Sequence, residues 1–130
     1  ARVRELAEAS PGRARITVTG CMVESLPFLD AVDVLVVPSL WEEPFGLVAV
    51  EGMARRLPVV VTKSGGLREI VDDGVTGLHA EKEPGSLRLA VRRLLEDPTL
   101  RASMGKAGRA RVVERFHPAK QMGKILEACL

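Results

Sequence analysis

Apolar positions recur in two rhythms along this chain. Residues 33–39 (DVLVVPS) and 58–62 (PVVVT) are apolar without alternation, the pattern of parallel strands covered on both faces. Residues 15–19 (RITVT) are rich in β-branched side chains and stop at Gly20, which predicts an earlier strand, and residues 77–80 (GLHA) predict a fourth. Between these runs the spacing is helical. A helix end is expected over residues 1–9, with Val3, Leu6 and Ala7 on one face, and a helical turn over 25–31. A longer helix is expected over 45–56 after the loop 40–44, and a short one over 67–71 after Ser64-Gly65-Gly66. Beyond Pro84 the pattern is helical throughout, in four stretches: 85–96, 98–104, 106–115 and 118–129. Ser10-Pro11-Gly12 and Asp72-Asp73-Gly74 are breaks. Strands alternating with helices predict an α/β fold with a parallel sheet, flanking helices and a helical C-terminal segment.

Composition narrows the class without naming it. The 130 residues have the length of one domain, taken here as 1–130, and 46% hydrophobic with 28% charged residues is ordinary for a soluble protein, which excludes disorder. The longest apolar run, 34–38, is far below the roughly 20 residues of a bilayer span. The chain opens on Ala1 without a signal-like segment, so it is expected to be cut from something longer. A net charge of +2 gives no reason to invoke nucleic acid. Charge is unevenly spread: residues 24–87 carry five basic and eleven acidic side chains, residues 88–130 ten basic and four acidic. The basic end reads first as solvated helix faces, and second as a peripheral contact with anionic lipid or a charged partner domain. Cys21 and Cys129 stand alone, with no CxxC and no neighbouring His, so no metal site is expected. Unpaired cysteines fit a reducing, cytoplasmic setting.

Parallel sheets bind ligands beyond the carboxyl ends of their strands. That rule singles out the loops 20–24, 39–45 and 63–66. The second runs into the predicted helix with Glu43 just before it and Glu51 about two turns inside. First-turn amides of a helix lack internal partners and sit at its positive end, so Phe45, Gly46 and Leu47 are candidate phosphate donors, with Pro44 pre-set for helix entry. A carboxylate at the depth of Glu51 can accept from both hydroxyls of a ribose. Taken alone, Glu43 reads first as an N-terminal helix charge and Glu51 as a solvated helix position.

The wider context selects between those readings. Residues 33–78 (DVLVVPSLWEEPFGLVAVEGMARRLPVVVTKSGGLREIVDDGVTGL) closely resemble the C-terminal domain of family 4 (group 1) glycosyltransferases, which have the GT-B fold. The shared features, in order, are the strand ending Pro38-Ser39, Glu43 and Glu51 around Phe45-Gly46-Leu47-Val48, the Met53-Ala54 helix end, the Pro58-Val59-Val60 strand, and Gly65-Gly66 followed by Glu69. The flanks "ITVTGCM" (16–22) and "MGKAGRARVVERF" (104–116) are also similar. The resemblance implies a Rossmann-like sheet forming an incomplete C-terminal half of a GT-B fold. It implies a retaining glycosyltransferase of hexosyltransferase type whose substrate is a nucleoside-diphosphate sugar, with no cofactor and no divalent metal. Glu43 would be the catalytic-site carboxylate on hydroxyls of the transferred sugar. The backbone of Phe45, Gly46 and Leu47 would hold phosphates and sugar, Val48 would lie near the nucleoside, and Glu51 would bind the ribose. Gly65 and Gly66 would keep the third loop low beside the donor, and Cys21, Met22 and Val23 would edge the nucleobase. Two positions depart from the family pattern: Gly52 stands where alanine is usual and Arg56 where glycine is usual, both at the inner end of the helix.

The resemblance also implies what lies outside these residues. The family's domain opens with two more strands and a basic pair that neutralises the departing diphosphate, and an N-terminal domain binds the acceptor. No residue here matches the basic pair, so the chain by itself is not expected to turn over. Without the two central strands, one edge of 33–38 is expected to be bare and prone to self-association. An epimerase or phosphorylase of the same architecture and a non-catalytic nucleotide-binding module are the other readings. A dinucleotide-binding GxGxxG after a strand is absent. His79 and His117 read as surface or packing residues, and Trp41 as a loop residue packed over the domain edge.

Overall fold

The structure, a computed structural model, describes residues 2–117 and 119. Its centre is a parallel sheet of β1 (Leu35–Val37), β2 (Val59–Thr62) and β3 (Gly77–Ala80), in that spatial order, with Leu35 opposite Val59 and Val59 opposite Gly77. The helices are α1 (Arg2–Ala9), α2 (Leu26–Asp30), α3 (Leu47–Ala54), α4 (Leu67–Ile70), α5 (Pro84–Glu96) and α6 (Pro98–Arg115); α2 to α6 pack on the cores of the sheet, whereas α1 buries no residue. All four residues of β2 are buried, because its side chains alternate between two covered faces. Val59 and Val61 pack with Met53, Leu67 and Ile70 under α3 and α4, while Val60 joins Leu78, Leu94 and Met104 under α5 and α6. Helix α6 serves both cores: Leu100 and Met104 pack on one side of the sheet, Val112 and Phe116 on the other. The second edge of β1 pairs with no described strand, and Val36 is 37% exposed there.

Three expectations need correction. Residues 15–19 form no strand: Arg13–Arg15 make a single 3-10 turn, and the following residues run irregularly and mostly exposed. A β-branched run becomes a strand only through ladder pairing, and no described strand lies beside this one. The stretches 98–104 and 106–115 are one helix, because Gly105 continues it instead of ending it. The helix expected over 45–56 is shorter, starting at Leu47 with Gly46 as its cap and φ +85° there. The stretch 118–129 lies outside the described residues, apart from Ala119.

The inner end of α3 explains the two departures from the family pattern. Gly52 is buried, and a β-carbon there would stand 2.4 Å from Leu35 Cδ2, so this glycine lets α3 approach β1. The helix then stops in a Schellman turn: Leu57 N–H bonds Gly52 O at 3.0 Å and Arg56 N–H bonds Met53 O at 3.0 Å. Such a turn places its exit residue in the left-handed region, here Arg56 with φ +62°. Glycine adopts that conformation freely, whereas a side chain costs about 1–2 kcal/mol. The exit is held from outside by α6. Arg109 donates to Ala54 O, and the Gly105 backbone packs so tightly that a β-carbon there would lie 2.1 Å from Arg56 O.

Opposite outcomes follow for two substitutions that both touch this turn. Arg56→Gly is expected to raise stability by about 1 kcal/mol by removing left-handed strain. Gly105→Ala, although alanine is the better helix former, is expected to lower it by about 1–3 kcal/mol by overpacking against Arg56 O. Denaturant midpoints of the two variants measure both.

Candidate functional site

The three strands point the same way, so the loops after their carboxyl ends meet at one edge: 38–46 after β1, 63–66 after β2 and 81–83 after β3. Hydrogen bonds lock them together. Gly66 N–H donates to Glu43 O at 2.7 Å, and Glu43 N–H donates to Ser64 Oγ at 3.1 Å. Ser64 is fully buried and its hydroxyl donates to Trp41 O. Thr62 Oγ1 donates to Ser39 O at 2.6 Å, tying the end of β2 to the exit of β1. The glycine pair is required by this contact. A β-carbon on Gly65 would stand 2.3 Å from Glu43 O, and one on Gly66 would stand 2.8 Å from Pro44 O. The surface that Gly65 and Gly66 lie against is the backbone of residues 43–45.

The paired acids Glu42 and Glu43 take different roles that their adjacency in sequence conceals. Glu42 Oε2 accepts from Gly65 N–H at 2.6 Å and Oε1 from Lys82 Nζ at 3.0 Å, so this carboxylate clamps all three loops. Glu43 is half-buried, and its Oε2 accepts from Ser39 Oγ at 3.1 Å, leaving Oε1 without a partner among the described residues. Glu51 is also half-buried and accepts from Ser25 Oγ at 3.1 Å through one oxygen, Oε2. Because α3 begins at Leu47, Glu51 lies about one turn inside it, not two. Ser25 sits at the start of α2, two residues after the exposed run Cys21, Met22 and Val23, so that loop is anchored beside Glu51. Sequence reasoning passed over Glu42, Ser39, Ser64 and Ser25. Hydroxyls at strand ends and helix starts were the available signal, but their partners lie 4 to 26 residues away.

The start of α3 is also revised. Phe45 precedes the helix and Gly46 caps it, so the first-turn amides belong to Leu47 and Val48. Gly46 is buried, and a β-carbon there would stand 2.4 Å from Leu67 Cδ2, so its left-handed turn lets the loop dip over α4. Leu47 and Val48 remain exposed. Phe45 meets Phe116 edge to face, with ring centroids 5.9 Å apart, which ties the loop to the end of α6. A cavity of about 500 Å³ lies between that aromatic pair, Gly66, Glu69 and Glu114. It shares Phe45 and Gly66 with the candidate residues but is lined by neither Glu43 nor Glu51. Trp41, expected to pack over the domain edge, is 65% exposed. His79 is a packing residue as expected, with Nε2 2.7 Å from Val71 O. Among the described residues no three His, Cys, Asp or Glu side chains converge as metal ligands, and no helix is long and apolar enough to cross a membrane.

The clamp carries a pH dependence. The Lys82 ammonium, bonded to Glu42, and next the Gly65 amide hold the Glu42 carboxyl below its ordinary value. A carboxylate whose pKa falls on folding adds stability above its ordinary range and loses it as pH falls through the lowered folded value. The Gly65 amide resonance is therefore expected to titrate with a midpoint below that of an ordinary glutamate. Glu42→Gln abolishes that titration and Lys82→Gln moves its midpoint upward, both readable by nuclear magnetic resonance.

Comparison with known proteins places this geometry. The profile of glycosyl transferases group 1 matches residues 1–111. The human alpha-1,3/1,6-mannosyltransferase ALG2 is 44% identical over 85 residues, covering 65% of this chain and 20% of that protein. Sucrose-phosphate synthase from Thermosynechococcus elongatus superposes with a TM-score of 0.88 at 35% identity, over 98% of this chain and 33% of that one. Anabaena HepE in complex with UDP-glucose superposes with a TM-score of 0.80 at 30% identity, over 97% of this chain and 36% of that one. The chain thus spans a fifth to about a third of the length of these relatives. Its sheet and flanking helices are those of the C-terminal domain of a GT-B glycosyltransferase, and the chain belongs to the group 1 glycosyl transferases.

Proposed function

We propose that this chain is the donor-binding part of a retaining glycosyltransferase and takes a nucleoside-diphosphate sugar without a divalent metal. The observation that carries the reading is the pair Glu43 and Glu51 flanking the start of α3. One oxygen of each is held by a serine, which orients the carboxylate toward a ligand lying across the helix terminus. The exposed amides of Leu47 and Val48 and the positive end of α3 suit a diphosphate. Gly46, buried and left-handed over α4, sets the backbone that leads into those amides.

In this reading Glu43 accepts from hydroxyls of the transferred sugar, and Glu51 accepts from the ribose, which every nucleoside diphosphate carries. Phe45 and Gly46 line the approach to the phosphates. Val48 lies near the nucleoside, and Cys21 to Val23 edge the base, on the loop anchored by Ser25. Gly65 and Gly66 support the sugar end from below by fixing the 43–45 backbone. HepE, which shares the fold over 97% of this chain, is described in complex with UDP-glucose, and that supports a ligand of this class. Transfer to an acceptor belongs to the longer protein, with a further domain to hold that acceptor and cationic groups to receive the departing diphosphate.

Glu51→Ala is expected to weaken UDP or GDP binding roughly 10- to 150-fold, the loss of a hydrogen bond to a charged group. Glu43→Ala is expected to leave those ligands nearly unchanged and to weaken the intact sugar nucleotide. Calorimetric titration with and without EDTA checks both points. Binding that requires Mg²⁺ overturns the metal-free reading, and equal losses for the two variants on bare nucleotides overturn the role assignment.

A further inference from the structure

We propose that Ser39 is a positioning residue that holds Glu43 in the rotamer used for the sugar, an inference that rests on the donor-binding reading above. Ser39 is 5% exposed, and its own direction is fixed from behind, because its carbonyl accepts from the fully buried Thr62 Oγ1 at 2.6 Å. A serine carries one hydroxyl proton, and here it goes to Glu43 Oε2 at 3.1 Å. The Glu43 backbone is held independently, by its N–H to Ser64 Oγ and its carbonyl to Gly66 N–H. Backbone and one carboxylate oxygen are thus both set, and Oε1, with no partner among the described residues, is left fully open to accept from a ligand. A free glutamate side chain has several rotamers to lose on binding, and pre-setting one of them removes part of that cost.

The contrast with Glu42 makes the assignment specific. Glu42 is the more exposed of the pair, yet both its oxygens are occupied, by Gly65 N–H and Lys82 Nζ. Two neighbouring carboxylates on one loop are therefore divided by their partners. Glu42 closes the loop edge, and Glu43 is oriented but kept open. The hydroxyls that hold Glu43, Ser39 Oγ on its carboxylate and Ser64 Oγ on its N–H, come from buried residues just beyond the ends of β1 and β2.

The test titrates UDP and UDP-glucose, with GDP and GDP-mannose in parallel, into the chain and into Ser39→Ala, Glu43→Ala and the double variant. The expected result is that Ser39→Ala weakens the sugar nucleotide on the order of tenfold while the bare nucleotide binds as before, which also certifies the fold. In the Glu43→Ala background, Ser39→Ala is expected to add nothing, since a positioning residue acts only through its partner. If Ser39→Ala gives no folded chain, Thr62→Val, a near-isosteric change, removes the hydroxyl that bonds the Ser39 carbonyl at 2.6 Å and reaches the Val37 carbonyl at 3.5 Å, and is expected to give the same selective loss at smaller size. Equal weakening of sugar nucleotide and bare nucleotide, no weakening at all, or a Ser39 effect that persists without Glu43 overturns the positioning role alone. A wild-type chain that binds none of the four ligands overturns the donor-binding reading and this inference with it.

Discussion

The Gly65-Gly66 backbone lies against residues 43–45 with no room for a side chain between them, and a β-carbon at Gly65 would meet Glu43 O at 2.3 Å. Everything at the candidate site depends on that contact. It sets the height of the loop after β1 over the loop after β2, and so where Glu43 stands relative to the start of α3. Hydrogen bonding makes the contact specific. Glu42 receives the Gly65 amide, Glu43 O receives the Gly66 amide, and Ser64 bridges Glu43 N–H to Trp41 O. A loop of irregular backbone is thereby given nearly as many internal partners as a strand, which is why it holds carboxylates in place at an exposed edge.

The same economy of glycine recurs across the domain. Gly52 admits α3 to β1, Gly105 admits α6 to the α3 exit, and Gly77 brings β3 so close to β2 that a β-carbon would stand 2.3 Å from Val59 O. Each shortens the distance between two backbones, and together they seat α3 firmly under the site it begins. Arg56 is the exception: its Schellman turn demands the left-handed conformation that the glycines at these other contacts would adopt without strain. Its position at the far end of α3 separates this stability cost from the end that carries the candidate site.

The division between Glu42 and Glu43 bears on how such an edge works. Adjacent residues on an irregular loop project differently, so one acid can staple three loops while its neighbour is left half-free. The staple involves a lysine from the β3 loop, and its strength follows the ionisation of Glu42. The open carboxylate is supported by one neutral hydroxyl, Ser39 Oγ, which orients it without neutralising it. Similar support by Ser25 at Glu51 gives the two candidate ligand groups the same construction.

Much of this was legible in the sequence, for physical reasons that differ by element. The unalternating runs at 34–37 and 59–62 announced strands buried on both faces, and α5 and α6 carry their own caps, Glu83 and Asp97 ahead of Pro84 and Pro98. The order of motifs placed Glu43, Glu51 and the glycine pair at one edge, because parallel strands must deliver their loops together. What the sequence could not decide is pairing at a distance. Residues 15–19 have strand composition and form none, since a strand exists only with a neighbour. Gly105 looked like a helix break and proved a helix contact, because its meaning depends on Arg56 lying across it. Which of two adjacent glutamates is clamped, and which serine holds the other, was set by residues up to 40 positions away. Local chemistry therefore determined most of the elements and the candidate groups, while tertiary packing decided where α3 begins, which glycines are obligatory and which carboxylate oxygen stays open.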